Sequence, residues 1–398
     1  MTGLEGPPLV VFGDDWGRHV SSMQHLFRHL IGTRPVVWVN GIGHRAPSFT
    51  RTDLRRGWEK LGKIVGRPEA APSQTLGASD DDGGAVPLEV IEPRVLPWHN
   101  RPLAAAWNTR WLSTKIRTVL VKHGLTEPPM IITGSPPSVL VFGRLGERGT
   151  VYFCMDDFLH LPGISVDMIG PLEERLLRRV DAVVATAEVL THSKRPSSGE
   201  VHYLTQGVNF EHFATPRPIP PELATLPRPI VGFAGGVSEC CDLDLINRIA
   251  ATYSGGSVVL VGPVTIPAER LEAIRRPNIH LLGPRPYADL PGYVQGFDVG
   301  IIPYLLNDWT KAVDPLKLLE YLAAGLPVVT TPLPEAQKYR DAVLMADDDD
   351  FVAAVGAACR DHGPDDRAKR IALAEGNSWV ERARVFSGIL EAVRRRAA

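Results

Sequence analysis

Residues 307–330, NDWTKAVDPLKLLEYLAAGLPVVT, set a helix between two apolar runs. Asp314 followed by Pro315 has the form of a helix start, a capping side chain and then a ring that fixes φ where no amide hydrogen is needed. Gly325 and then Pro327 have the form of a stop. The flanking runs, DVGIIPY (298–304) and PVVTTP (327–332), are continuous and β-branched instead of alternating, as strands buried on both faces must be. Strand, helix and strand in that order predict a parallel βαβ unit with the helix N-terminus at the carboxyl edge of the sheet.

The same alternation extends in both directions. IVGFAGG (230–236), SVVLVG (257–262) and NIHLLG (278–283) precede this unit, and AVLMA (342–346) follows it. An earlier series comprises PLVVFG (8–13), PVVWVN (35–40), LEVIEP (88–93), PMIITG (129–134), TVYFCM (150–155) and DAVVATA (181–187). Between the two series lies ATPRPIPPELATLPRP (214–229), with the composition of a semi-rigid linker. The expectation is an α/β chain of two tandem Rossmann-like domains facing a central cleft. Residues 1–215 would form the first, 216–229 the linker, 230–378 the second, and 379–398 a helix packing back on the first. The tract PEAAPSQTLGASDDDGGAVP (68–87) is poor in core-forming residues and reads as a mobile loop.

A length of 398 residues exceeds what one core organises and fits this two-domain reading. With 22% charged residues and a net charge of -2, the chain does not have the balance of a dedicated nucleic-acid binder. No apolar run approaches the roughly 18 residues of a membrane span, and MTGLEGPPLV lacks the form of a signal peptide, so a cytoplasmic location is expected. Cys154, Cys240, Cys241 and Cys359 show no C-x-x-C spacing, and neither a disulfide framework nor a metal site is expected.

Phosphate chemistry concentrates at the helix start. Free amides and the positive dipole end suit a phosphate, Lys317 adds a full charge in the first turn, and Glu320 follows on the same face, where a carboxylate can accept from a ribose diol. The ordinary alternative is an i, i+3 surface ion pair. GFAGG is not G-x-G-x-x-G, so a nicotinamide or flavin cofactor is not expected.

The 307–329 segment resembles the donor-binding motif of GT-B glycosyltransferases, in particular a bacterial branch related to family 4 and to teichuronic-acid and exopolysaccharide transferases. Supporting stretches are GDDWGRHVSSMQHL, VYFCMDDFLHLPG, LTQGVNFEHF, GFAGGVSECCDLDLI and NSWVERARVF. The resemblance implies a nucleoside-diphosphate sugar donor, UDP- or GDP-linked. Lys317 would meet its diphosphate, Glu320 its ribose, Asn307 and Thr310 its phosphate or sugar, and the loop of Pro284, Arg285 and Tyr287 its base. Gly17 and Arg18 would approach the phosphates from the first domain. Where family 4 enzymes carry a second Glu, eight residues before Glu320, this chain has Ala312, and Asp314 is the nearest acid.

Acidic pairs follow two strands of the first series, Asp14-Asp15 and Asp156-Asp157. A carboxylate there can serve as the general base an inverting transfer needs, with Asp157 first and Asp15 second; a turn or cap Asp is the other reading. His25 and His160 are weaker candidates. Basic, aromatic-punctuated stretches at 51–67 and 101–124 suit either plain packing or contact with an anionic membrane surface. The expected protein is a metal-independent hexosyltransferase acting on a hydroxyl acceptor. The alternatives are a nucleotide-sugar epimerase or hydrolase of the same fold, and a non-enzymatic sugar-binding protein.

Overall fold

The structure is a computed structural model and describes residues 6–18, 21–45, 85–360 and 363–396. The stretch 51–67 and most of the 68–87 tract lie outside the described residues. The chain divides into two compact units: Met1–Ala185 with Leu190–Tyr203 and Phe386–Ala398, and Thr186–Val189 with Leu204–Val385.

The first unit is built on β1 (Leu9–Phe12), β2 (Val36–Val39), β3 (Glu89–Ile91), β4 (Met130–Thr133), β5 (Thr150–Cys154), β6 (Ala182–Ala185) and β7 (Glu200–Tyr203). They form one parallel sheet in the order β3-β2-β1-β4-β5-β6-β7. Every residue of β1, β2, β4, β5 and β6 is buried, which is why their sequences are continuous apolar runs. Phe386, from the helix Trp379–Arg396, packs edge-on against Phe27 and Phe153, with ring centroids 5.8 and 5.7 Å away.

The second unit holds β8 (Ile230–Ala234), β9 (Ser257–Val261), β10 (Ile279–Gly283), β11 (Val299–Ile302), β12 (Val328–Thr330) and β13 (Leu344–Met345) in the parallel order β10-β9-β8-β11-β12-β13. In both sheets the strand order reverses beside the first strand, between β1 and β4 and between β8 and β11. Connections on the two sides of such a point leave in opposite directions and open a crevice at the strand carboxyl ends.

Residues 204–229 correct the linker expectation, for they belong to the second unit. Gln295 clamps this segment by accepting from Arg217 N–H and donating to the carbonyls of Phe213 and Thr215, and Leu223 of the short helix Pro221–Ala224 is buried. Helix Trp379–Arg396 is likewise divided, its first turns going with the second unit and Phe386 onward with the first.

Candidate active site

At the β8/β11 crevice, Gly235 follows β8 directly. A Cβ there would stand 2.7 Å from Cε of Lys317, so the lysine crosses the β8 loop in space that only glycine leaves. Lys317 sits in the first turn of helix Leu316–Ala323, and its Nζ donates to the Tyr304 hydroxyl at 2.5 Å and lies 4.8 and 5.3 Å from the ring centroids of Tyr304 and Phe233. Aromatic faces attract an ammonium without neutralising it. Among the described residues no carboxylate forms an ion pair with Lys317, so the i, i+3 pair with Glu320 that the spacing allows does not form.

Glu320 is 8% exposed, and among the described residues nothing donates to its carboxylate. Burial, opposed in part by the Lys317 charge, pushes its pKa up to about 7. A carboxylate in so buried a residue, with no donor from the protein, gains hydrogen bonds from a ligand that brings hydroxyls.

The neighbouring residues are engaged within the protein. Asp314 is not the helix cap: the N-cap is Pro315, with no side-chain cap bond, while Asp314 accepts from Gln206 N–H at 2.8 Å and from Lys338 at 3.0 Å. The Asp314 carboxylate is therefore occupied. Asn307 and Thr310 cap one another, Asn307 Oδ1 accepting from Thr310 N–H at 2.9 Å and Thr310 Oγ1 from Asn307 N–H at 3.0 Å, and Thr310 Oγ1 also donates to the Leu305 carbonyl. They shape the loop, and Thr310 is fully buried. After β10, Arg285 is held by Glu222 and by Tyr293 OH, and the Tyr287 ring stacks on His212 at 4.5 Å. Both side chains are thus engaged within the second unit.

In the first unit, a cavity of about 360 Å³ opens at the β1/β4 crevice, lined by Asp14, Asp15, Arg18, His44, Gly134 and Ser135 among others. Gly17, at φ +76°, donates its N–H to Gln24 Oε1, and Arg18 pairs with Asp15 at 3.2 Å, so both are engaged within the loop. Asp15 also accepts from Gly41 N–H. His44 Nε2 lies 2.8 Å from Ser135 Oγ, and burial, with the charges of His99 and Arg45, lowers the His44 pKa to about 4, leaving the ring neutral. His25 is buried. A larger depression, about 610 Å³ around Arg148, Arg179 and Asp181, lies at the amino edge of β5, away from this crevice.

Asp157 is tied at both oxygens. Lys194 donates to Oδ1 and His160 Nδ1 lies against Oδ2, each at 2.8 Å, and Leu159 N–H reaches Oδ1 at 3.2 Å. Burial works against ionisation there, but the Lys194 and His160 hydrogen bonds outweigh it and hold the pKa below the usual range. A carboxylate so stabilised is a poor proton acceptor, which counts against the expected general base. Burial with the charges of Asp14 and Asp157 instead raises Asp156 to about 6. Lys194 and Glu173, which bond each other at 2.8 Å, were not legible as site residues; the approach of Lys317 to Gly235 was not either.

Residues 228–361 match the model of the glycosyl transferases group 1 family. A putative teichuronic acid biosynthesis glycosyltransferase of Bacillus subtilis, TuaH, is 32% identical over 179 residues, 43% of this chain and 45% of the relative, so the match spans less than half of that protein's length. Among solved structures, Anabaena HepE in complex with UDP-glucose is similar over 97% of this chain and 99% of its own, with a TM-score of 0.63 and 14% identity. Sucrose-phosphate synthase from Thermosynechococcus elongatus is similar over 97% and 99%, with a TM-score of 0.64 and 15% identity. The fold is GT-B, two parallel-sheet α/β domains, and the 228–361 segment is a glycosyltransferase group 1 domain.

Proposed function

We propose that the chain is a glycosyltransferase that moves a hexose from a nucleoside-diphosphate donor, bound by residues 230–335, to a hydroxyl acceptor taken by the first unit. The buried, unpartnered Glu320 carboxyl beside the unneutralised Lys317 carries the reading. A ribose diol supplies the donors Glu320 lacks, and a diphosphate next to it supplies the anion that Lys317 and the uncapped first turn lack. HepE was solved with UDP and with UDP-glucose, which supports UDP as the first nucleotide to test, with GDP beside it. Lys317 and the helix dipole neutralise the departing diphosphate without a metal. Asp157 is retained as a positioning group for His160 and Asp15 as a brace of the 13–18 loop. The protein works in the cytoplasm, peripherally at the inner face of the membrane.

Calorimetry with UDP tests the assignment. Glu320→Gln is expected to weaken binding about tenfold or more, since charge-assisted hydrogen bonds to the ribose become neutral ones. A raised carboxyl pKa means the folded state keeps a proton that the unfolded chain releases, so Glu320 costs stability increasingly as pH rises from the ordinary carboxylate range to about 7, and the cost levels off above. Glu320→Gln removes that cost and is expected to melt no lower than the parent at pH 8. Hydroxyls donating to Glu320 favour its charged form, so UDP binding near pH 6.5 releases a proton from Glu320, read as a buffer-dependent enthalpy that shrinks in the variant. Unchanged UDP affinity in Glu320→Gln sinks the assignment.

A further inference from the structure

We propose that the solvent face of helix Pro102–Lys122, together with the turn that precedes it, docks on an anionic lipid surface. This deepens the membrane part of the reading above and rests on it only for its purpose, not for its chemistry. Residues 93–126 contain Arg94, Arg101, Arg110, Lys115, Arg117 and Lys122 and no Asp or Glu, in a chain whose net charge is -2. The element therefore carries a local excess of positive charge.

The helix has two dissimilar sides. Ala104, Asn108, Leu112, Ile116 and Val119 are buried against the first unit. Leu103, Trp107, Arg110, Thr114, Arg117 and Val121 follow one another at steps of three or four residues and so share the other side. On that side Leu103 is 88% exposed and Trp107 54%, and Trp98, in the preceding turn, is 43% exposed. A solvent face normally carries polar residues here, and this one carries Leu103, Trp107 and Val121 beside two arginines.

The charges at its N-terminal end are available. Lys122 is paired with Glu89, and Arg117 donates to the Arg144 carbonyl. Among the described residues no carboxylate pairs with Arg94, Arg101 or Arg110, all of them exposed. Lipid headgroups satisfy both halves of the pattern at once: phosphates meet the guanidinium groups, and the interfacial layer takes indole rings whose apolar body and polar N–H prefer different media. Docking through Trp98, Leu103 and Trp107 lays this end of the first unit on the bilayer.

Sedimentation of the full chain with vesicles tests this. The protein is expected to sediment with vesicles of phosphatidylcholine mixed with phosphatidylglycerol and not with phosphatidylcholine alone, and to be released by raised salt. Arg101→Glu with Arg110→Glu, and separately Leu103→Ser with Trp107→Ser, are each expected to reduce binding about tenfold or more, at about 1 kcal/mol per lost surface charge for the first pair. All four side chains are exposed, so melting temperature and UDP affinity are expected to stay at the parent values. No binding to the anionic vesicles, equal binding to neutral ones, or undiminished binding by both double variants overturns the proposal. So does a parent dimer in light scattering that the Leu103→Ser/Trp107→Ser pair disperses, for then a second copy covers this face. Vesicle binding retained by Glu320→Gln while its UDP affinity is unchanged would refute the donor site and leave the docking face standing.

Discussion

Replacing Lys317 by methionine is expected to lower glycosyl transfer by roughly 10²- to 10³-fold, the scale of losing one preorganised group that meets charge developing on a leaving group. Methionine keeps the length of the stem, so the packing over Gly235 and between Phe233 and Tyr304 is largely retained, and only the ammonium and its bond to Tyr304 OH are removed. The loss should appear mainly in turnover if Lys317 acts on the departing diphosphate, and mainly in donor affinity if it only anchors the ground state. Gly235→Val gives a second route to the same lesion. Its Cβ stands 2.7 Å from the flexible Lys317 end, which can move aside, and 3.2 Å from Phe233 Cζ, which must give by a few tenths of an ångström, so the ammonium is displaced at some cost in stability. A turnover within a few-fold of the parent in Lys317→Met would remove the lysine from the chemistry.

Most of the framework was readable because it follows from local pattern. Each of the twelve quoted apolar runs contains a strand, and the nine strands inside the sheets are buried throughout, as a parallel sheet covered on both faces requires. The strand Glu200–Tyr203 escaped because EVHY sets Glu and His among its apolar residues and so gives no apolar run, unlike the other edge strands. The helix that carries Lys317 and Glu320 was legible from the Pro315 and Gly325 that flank it. Asp314 shows the limit of that reasoning: its sequence position is that of a cap, but Gln206, 108 residues earlier, takes the carboxylate. Local capping rules lose where a buried tertiary donor is available. The partners of Arg285 and Tyr287 were hidden for the same reason, because Glu222 and His212, which engage them, come from the tract read as a linker and its approach. Lys194 was invisible altogether, as HSKRP reads like an exposed basic turn.

That buried lysine carries the other large expected effect. Lys194, with its side chain 4% exposed, bonds Asp157 and Glu173 at 2.8 Å each, and Tyr152 OH donates to Glu173 at 2.7 Å. Removing one partner of a buried ion network leaves the others uncompensated, so Lys194→Met is expected to destabilise the first unit by about 3–5 kcal/mol, read as a melting temperature lower by roughly 10 °C. The second unit should melt as before, since Lys194 belongs to the first. Adding Glu173→Gln to Lys194→Met relieves one stranded carboxylate and should recover part of the loss, whereas two unrelated lesions would add. The pH dependence has a definite sign. Asp157 has a lowered pKa in the folded state, so its contribution is present above the ordinary carboxylate range and is lost as pH falls through the folded value. In Lys194→Met the main cause of that lowering is gone, and the stranded carboxylate takes up a proton more readily. The variant should therefore lose least, relative to the parent, in acid and most near pH 8. A stability gap that stays flat between pH 4 and pH 8 would mean that Lys194 supports the fold by its packing alone and does not hold Asp157 ionised.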